Sequence, residues 1–433
     1  MTIIAVTMEP HSSRILLRPP SPACGTRMTT ARNSQPSRKA KPAKEAKMNA
    51  FHWYTPRFWQ GMRLSTWWGI LCRNRFRIHP TRWAMAFMTT LFATVNSCSS
   101  VWENFLYRKK LRDARIEDPP LFIVGHWRSG TTFLHELMVL DPRHSYPRTI
   151  DCLLPNQFLH CGDFIRKYLG IVLPSKRPMD NMAAGWDRPQ EDEFALMNMG
   201  APSPYLSMAF PNNPPEGVDY LDFEGVSDED LDSWKNTLLE FLRRLQIKDK
   251  RRMVLKSPTH TGRVEVLAKM FPDAKFVHIV RDPYSVFPST VRLWKSLYTT
   301  QGFQSPKFKE INEHVYTCFE RMMSAYERGH QSIPDGHLCE VRYEDLARDP
   351  IGQLRRVYDE LDLGEFDAAL PHFEEHVAGL KEYKTNTFQL DEDIKSDIDR
   401  RWAPFIDKYG YGQATADETE PAADNESAAE AGA

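Results

Sequence analysis

One loop constrains this chain more than any other segment: residues 125–132 read GHWRSGTT and join a short apolar run to a helical pattern. The run at 121–124 is typical of a buried parallel strand. Apolar residues at helical spacing follow over 133–140 and end at Asp141-Pro142. Glycines five residues apart allow the backbone to wrap around an anion, and a helix N-terminus supplies free N–H groups. The loop therefore predicts an anion-binding site between a strand and a helix.

The loop departs from the nucleotide-triphosphatase pattern G-x-x-x-x-G-K-[ST] at one position. Its glycine spacing is the same, but Thr131 stands where that pattern has the lysine that reaches the β and γ phosphates. Arg128 offers a different cation inside the loop, suited to one phosphate and its leaving group. The departure weakens the kinase interpretation. A P-loop-type small-molecule or nucleoside kinase, with Asp282 holding magnesium, remains the alternative hypothesis.

The remaining chain alternates short apolar runs with helical patterns. Further strands are predicted at 253–255, 276–280 and 338–343, and helices at 261–271, 285–297, 307–330, 350–361, 367–380 and 391–408. This alternation predicts an α/β protein with a P-loop-like three-layer α/β/α fold around a central parallel sheet. Residues 150–235 are rich in proline and are predicted to be an irregular insert or lid that binds the substrate.

A second candidate anion site follows the strand at 276–280. Arg281 stands at the end of that strand, where ligands bind in open α/β sheets, and Ser289 lies eight residues later in the next helix. A helix rises about 1.5 Å per residue. The two side chains can therefore meet only if the arginine lies in a loop folded back over the helix start, which Pro283 allows. An arginine paired with Asp282 is the structural alternative.

Charge distinguishes the two ends of the chain from its body. The formal net charge is −1, with 56 basic and 57 acidic residues, which argues against a general nucleic-acid binder. Residues 1–48 are predicted to be a disordered basic tail and residues 413–433 a disordered acidic tail. Between them we expect a helical N-terminal region at 49–118 and an α/β domain at 119–412.

The N-terminal region raises the question of membrane contact. Its most apolar part, residues 83–95, is only 13 residues long and contains three threonines, whereas a spanning helix needs about 20 apolar residues. We therefore expect no spanning helix. A helix packed on the core is the preferred interpretation, and peripheral membrane contact stays open. The seven cysteines are scattered without a CxxC pair, which predicts reduced thiols and a cytoplasmic protein, with a position peripheral to the membrane left open.

The two anion motifs together resemble those of sulfotransferases that use 3′-phosphoadenosine 5′-phosphosulfate (PAPS). In that family an R-[ST]-G-T-T loop binds the 5′-phosphosulfate and an R-[DN]-P-x-x-x-x-x-S segment binds the 3′-phosphate. The resemblance covers residues 119–412 and is closer to bacterial-type members than to the animal cytosolic enzymes. It implies PAPS as co-substrate, transfer of a sulfuryl group to a hydroxyl or amine, and a late loop closing over the nucleotide. The implied donor-binding residues are Arg128, Ser129, Gly130, Thr131, Thr132, Arg281, Ser289 and Lys384.

The same resemblance implies how the chemistry is divided. Catalysis should come from positioning and from cations at the leaving oxygen, Arg128 and above all Lys256, with a base for the acceptor proton and with no metal expected. Lys256 ends the strand at 253–255 and matches the family's lysine between the two motifs. Candidate bases are ranked Glu193 and Glu191 first, then His260, then Asp151.

The acceptor is left open by the sequence. Residues 150–235 contain Trp186, Tyr205, Phe210 and many prolines, which suits an apolar or sugar-binding wall but equally a loop packed on the core. A carbohydrate, lipid, phenol or peptide acceptor would fit, and no nucleic acid is expected. A catalytically inactive relative that retains donor binding is the remaining hypothesis from another functional class.

Overall fold

The computed structural model describes residues 57–168, 185–379 and 390–412. The two predicted tails and Lys384 lie outside these residues. The described chain contains five strands, β1 Leu121–Val124, β2 His144–Ser145, β3 Arg252–Lys256, β4 Lys275–Val280 and β5 Leu338–Arg342. Its helices are α1 Leu64–Arg73, α2 Trp83–Asp113, α3 Thr131–Met138, α4 Thr149–Leu153, α5 Phe158–Tyr168, α6 Asp192–Met199, α7 Asp228–Lys248, α8 Val264–Met270, α9 Pro283–Gln301, α10 Ile311–Gly329, α11 Tyr343–Arg348, α12 Pro350–Leu361, α13 Phe366–Gly379, α14 Glu392–Arg401 and α15 Ala403–Tyr409.

The strands form one sheet in the order β2-β3-β1-β4-β5, and every pair is parallel. The predicted runs at 121–124 and 253–255 form strands because they are continuously apolar and can be buried on both faces. β1 lies at the centre, with Leu121 opposite Val254 of β3 and Lys275 of β4. The loops that follow β1, β3 and β4 consequently open at one edge of the sheet, where the predicted site residues lie.

Alternate residues of each strand enter two separate apolar clusters. Leu121 and Ile123 pack with α3, α11, α12 and α13, whereas Phe122 and Val124 pack with the larger cluster that contains α6 to α10. This division follows from the two-residue period of a strand. The predicted three-layer α/β/α architecture with a parallel sheet is therefore confirmed.

The predicted N-terminal helical region is also present, as α1 and α2. Trp67 Nε1 of α1 donates to Thr90 Oγ1 of α2 at 2.9 Å, and the Leu64 amide donates to Ser97 Oγ at 2.8 Å. None of the helices in the described ranges is both long enough and apolar enough to cross a membrane.

Two predictions from the sequence need correction. Residues 150–235 are not uniformly irregular, since their described part contains α5, α6 and the start of α7, and every residue of α6 is buried. The helix predicted at 391–408 is two helices that meet at Trp402. Pro404 explains the break, because proline lacks the N–H that a continuing helix would need.

Candidate active site

The glycine loop after β1 is held in a shape that only glycine tolerates at two positions. Gly125 has φ +149° and its amide donates to Thr261 Oγ1 at 2.7 Å. Gly130 has φ +102°, and a Cβ there would lie 2.3 Å from Cδ2 of Tyr343. α3 begins directly afterwards, so its free N–H groups point towards the loop. The local geometry is that of an anion cradle.

The two anion motifs meet in space. Arg128 Nε donates to Ser289 Oγ at 2.9 Å, and Arg281 Nη1 donates to the Arg128 carbonyl oxygen at 3.1 Å. The Arg281 guanidinium lies over the Tyr343 ring, 4.2 Å from its centroid. Arg128 and Arg281 are half-buried, so both can reach a ligand from solvent. Arg128 thus links the two motifs, because it contacts Ser289 through its side chain and Arg281 through its carbonyl oxygen.

Ser129 has a more local contact than its place in the motif implies. Its hydroxyl donates to the His126 carbonyl oxygen at 2.7 Å, and its amide donates to the same oxygen at 3.1 Å. Both bonds close the turn. Thr131 is buried and Thr132 is half-buried at the start of α3.

Lys256 lies between the glycine loop and the acidic segment formed by residues 191–193. Its Nζ atom donates to Glu191 Oε1 at 2.7 Å and to Thr132 Oγ1 at 3.4 Å. The lysine side chain is 2% exposed and the glutamate side chain 11% exposed. The order Thr132, Lys256, Glu191 runs from the anion cradle outward.

Tyr205 joins this cluster, although the sequence suggested only that it lines an acceptor wall. Its hydroxyl donates to Glu191 Oε2 at 2.5 Å and accepts from Trp127 Nε1 at 2.8 Å. Burial, together with the charge of Glu191, raises the pKa of the Tyr205 hydroxyl well above its ordinary value. Phe194 stacks on Tyr205 at 4.9 Å, and Phe58 stacks on Phe194 at 4.1 Å. The tyrosine therefore stays a protonated donor that orients the glutamate.

The neighbouring acid, Asp192, lies in a sealed network. Its carboxylate accepts from Ser257 Oγ at 2.7 Å, and the other oxygen lies 2.7 Å from Nε2 of His260. Both the aspartate and the histidine side chains are fully buried. Burial alone would raise the pKa of Asp192, but the interactions with His260 and Ser257 outweigh it and lower the pKa. These bonds fasten the start of α6 to the end of β3.

Glu193 lies in a second sealed pair. Arg263 donates to both of its oxygens, at 2.6 and 3.0 Å, and Thr259 Oγ1 donates at 3.0 Å. Neither side chain of the ion pair is exposed. Burial would raise the pKa of Glu193, but the Arg263 charge and hydrogen bonds lower it below its ordinary value. Only Glu191, of the three consecutive acids, faces Lys256.

The remaining candidates have other contacts. Asp151 is bound by Arg148, whose Nε lies 3.0 Å away, and its other oxygen lies 3.5 Å from Lys248 Nζ. Asp282, the magnesium ligand of the kinase hypothesis, caps α9 by accepting from the amides of Tyr284 and Ser285, each at 3.1 Å. Within the described residues, no group of three or more His, Cys, Asp or Glu side chains is arranged to hold a metal ion.

Comparisons with known proteins match this geometry. The sulfotransferase family model matches residues 119–367. Omega-hydroxy-beta-dihydromenaquinone-9 sulfotransferase Stf3, from Mycobacterium bovis and Mycobacterium tuberculosis, is 42% identical over 363 residues, which cover 84% of this chain and 93% of Stf3. The solved sulfotransferase STF9 from Mycobacterium avium aligns with a TM-score of 0.57 at 19% identity, over 80% of this chain and 96% of that one. STF1 from Mycobacterium tuberculosis aligns with a TM-score of 0.55 at 19% identity, over 79% and 92%. These two structures show the shared fold.

Proposed function

From the premise that this chain belongs to the sulfotransferase family, as the match over residues 119–367 establishes, we propose that its acceptor is a lipid hydroxyl. The recognition made from the two anion motifs is thereby confirmed, and the protein is a transferase that uses PAPS. The observation that carries the acceptor is the 42% identity, over 93% of the relative, to an enzyme named for a hydroxylated dihydromenaquinone. We place the reaction in the cytoplasm, at the surface of a membrane.

The donor would occupy the cradle between the glycine loop and the loop after β4. In this proposal residues 128–132 bind the 5′-phosphosulfate at the start of α3, and Arg281 with Ser289 binds the 3′-phosphate. Support comes from the hydrogen bonds that join Arg128 to Ser289 and Arg281 to the Arg128 carbonyl. Two guanidinium groups beside a helix N-terminus suit a ligand with two separate phosphate groups.

The chemistry is an in-line displacement at sulfur. The acceptor oxygen forms a bond to the sulfur while the bond from sulfur to the bridging phosphate oxygen breaks, so negative charge grows on adenosine 3′,5′-bisphosphate. Lys256 would stabilise that charge, since its Nζ atom is near Thr132 at the cradle. Glu191 would take the acceptor proton, because it contacts Lys256 at 2.7 Å and keeps part of its side chain exposed.

The surroundings of the candidate bases favour Glu191. A general base must reach the proton of a bound substrate. Glu193 and His260 have no exposed side-chain surface and are bound by Arg263 and Asp192, respectively. Asp151 is held by Arg148. Glu191 alone combines partial exposure with contact to the proposed leaving-group cation.

Glu191 lies against a wall of buried aromatic side chains. The wall consists of aromatic rings, and Trp294 packs on both Trp127 and Tyr205, with ring centroids 5.5 and 6.3 Å apart. Because Trp127, Tyr205 and Trp294 are at most 3% exposed, this wall holds Glu191 in place and offers almost no surface to an acceptor. The polar groups in it, the hydroxyl of Tyr205 and the ring N–H of Trp127, are already paired with Glu191 and with each other.

The test is sulfuryl transfer from labelled PAPS to an ω-hydroxylated dihydromenaquinone dispersed in detergent micelles. The matched control acceptor is the same quinone without the terminal hydroxyl. We expect label only in the hydroxylated lipid. Lys256→Ala should bind adenosine 3′,5′-bisphosphate in calorimetry yet transfer no label.

The contrary outcome is equally clear. If the protein binds the bisphosphate but sulfates only a water-soluble phenol, sugar or amine, the lipid acceptor is wrong and the family assignment stands. If Lys256→Ala retains full turnover, its leaving-group role is wrong.

A further inference from the structure

α2 presents the reverse of the usual amphipathic pattern. A surface helix normally turns its large apolar residues inward and its polar residues to water. α2 is 31 residues long, about 45 Å at the usual rise of ~1.5 Å per residue. Its buried residues are all small or polar: Ala86, Thr89, Ala93, Asn96, Ser100 and Glu103.

The large apolar residues of α2 point outward. We define the α2 face as its ten exposed large apolar residues, which are Trp83, Phe87, Met88, Leu91, Phe92, Val95, Val101, Trp102, Phe105 and Leu106. Phe87 is 69% exposed and Phe105 71% exposed. Four of its aromatic side chains are more than half exposed: Trp83, Phe87, Trp102 and Phe105. Together they expose about 500 Å², since each offers roughly 150–250 Å² in full. That already approaches the largest apolar patch of a typical monomer, about 300–600 Å².

The orientation of α2 is fixed by buried polar contacts. Glu103 is fully buried, pairs with Arg244 of α7, and accepts from the amide of Leu159 at 2.8 Å. Asn96 Nδ2 donates to the carbonyl oxygens of Gln60 and Met62 at 2.6 and 3.0 Å. Rotating the helix to hide its aromatic side would break these bonds and leave a buried charge unpaired.

Exposed aromatic pairs on both neighbouring helices extend the surface. Trp68 of α1 and Phe76 just after it are 55% and 48% exposed, with ring centroids 5.3 Å apart. Phe164 and Tyr168 of α5 are also exposed, 4.9 Å apart. Hydrogen bonds attach both helices to α2, as α1 does through Trp67 and α5 through the Leu159 carbonyl, which accepts from Tyr107.

The charges around the α2 face are mainly basic, although Asp113 pairs with Arg112 at 3.2 Å and Glu216 pairs with Arg73 at 3.1 Å. Residues 64–112 contain eight Lys or Arg and a single acid, the buried Glu103. Exposed basic residues lie at both ends of the surface, near Trp68 and after Leu106; they are Arg73, Arg75, Arg77, Arg108, Lys109, Lys110 and Arg112. An apolar helix face bordered by lysine and arginine suits a bilayer interface with anionic headgroups.

A second copy of the chain fits this surface less well. If two α2 faces packed antiparallel, the basic residues at 108–112 of one copy would meet the basic end near 73–77 of the other. If they packed parallel, like ends would meet directly. Both arrangements place positive charges opposite one another, which disfavours association.

We propose that the α2 face is a docking surface for an anionic lipid bilayer, with α2 lying in the plane of the interface. This proposal deepens the proposed function, on whose lipid acceptor it rests, because it names where that acceptor is met. The docking region also contacts the active-site helix. Arg63 Nη2 donates to the Met199 carbonyl at the end of α6 at 2.5 Å, and α6 begins next to Glu191.

The test is co-sedimentation of the full chain with vesicles, without donor or acceptor. Phosphatidylcholine vesicles are compared with vesicles that also contain phosphatidylglycerol. The variant is Phe87→Glu with Phe105→Glu. The matched control is Asn312→Glu with Ser324→Glu, which adds the same charge at exposed positions of α10. Wild type and control should bind the anionic vesicles more tightly than the neutral ones, and the variant should bind at least tenfold more weakly.

Several outcomes overturn the docking site. One is a variant that binds vesicles as tightly as wild type. Another is a wild type that binds no vesicles. A wild type that is dimeric in light scattering, with a monomeric variant and no lipid binding, would assign the surface to a second copy. Bisphosphate binding by every variant establishes that each is folded.

Activity separates this proposal from the acceptor proposal. The variant should sulfate detergent-dispersed acceptor at the wild-type rate and lose most turnover on vesicle-embedded acceptor. A wild type that binds vesicles but sulfates no lipid in detergent would refute the acceptor and leave the docking site. A wild type that sulfates lipid in detergent but binds no vesicle would refute the docking site and leave the lipid acceptor.

Discussion

Two ion pairs, two residues apart at the start of α6, differ in their surroundings more than in their chemistry. Glu191 pairs with Lys256 at 2.7 Å, in a site where the glutamate side chain keeps 11% of its surface exposed. Glu193 pairs with Arg263 at 2.6 Å, and neither side chain has any exposed surface. The first pair can meet a substrate, while the second can only hold α6 in place. Under the proposed mechanism, similar residues therefore serve catalysis or stability according to which side of the helix start they occupy.

The largest effect is expected from Glu191→Gln. The amide keeps the shape of the side chain but cannot take a proton, so kcat should fall by about 10²–10⁴-fold. The unfolding midpoint should fall less than it does in Glu193→Gln, because the Glu191 side chain keeps 11% of its surface in contact with water. Single-turnover transfer and urea unfolding measure the two quantities. A kcat within a few-fold of wild type would transfer the base role to another group.

Glu193→Gln should instead lower the stability strongly and change kcat little. Removing one charge from a buried pair leaves Arg263 uncompensated, at a cost of about 3–5 kcal/mol in the free energy of unfolding. The surviving folded protein should turn over at close to the wild-type rate. The double variant Glu193→Gln with Arg263→Met should recover part of the lost stability, since no buried charge remains. Near-normal stability of the single variant would contradict the anchoring role.

The effect of Glu193→Gln on stability should depend on pH. The pKa of Glu193 lies below its ordinary value in the folded protein. Its stabilising effect is therefore complete above the unfolded carboxyl pKa, about 4.3, and is lost as the pH falls through the lowered folded value. Wild type and Glu193→Gln should differ most in urea midpoint near neutral pH and converge in acid.

The smallest effect is expected from Tyr205→Phe. It removes one hydrogen bond to Glu191 and leaves the ring stacked on Phe194. Loss of a hydrogen bond to a charged group corresponds to about 1.5–3 kcal/mol, which would appear as a change in kcat larger than the change in KM. An unchanged kcat would make Tyr205 a packing residue only.

The sequence predicted the core well because its signals are local. The run at 121–124, the glycine spacing and the proline after Arg281 each act within a few residues, and the structure has the strand, the loop and the turn. The acidic segment was harder to interpret. Three consecutive acids resemble a solvated helix start, yet their partners Lys256, His260 and Arg263 come 65 to 70 residues later. Nothing in the spacing separates the three.

The packing of α2 on the core agrees with the preferred interpretation, but the residues that make the contact were not foreseen. Its apolar composition favoured a helix packed on the core, and it does pack there, but through alanine, serine and asparagine. A count of apolar residues does not tell which side of a helix they occupy. The periodic row of small or polar residues at 86, 89, 93, 96, 100 and 103 is the signal that could have shown which side of α2 is buried.

The contact between Glu103 and Arg244 has a consequence in time. Arg244 follows Glu103 by 141 residues. At a synthesis rate of about 5–20 residues per second, Glu103 leaves the ribosome roughly 7–28 s before Arg244 does. During that interval the Glu103 carboxylate lies in a helix with the ten large apolar residues of the α2 face and has no arginine partner. A charge there raises the cost of entering the hydrocarbon core of a bilayer until Arg244 pairs with it.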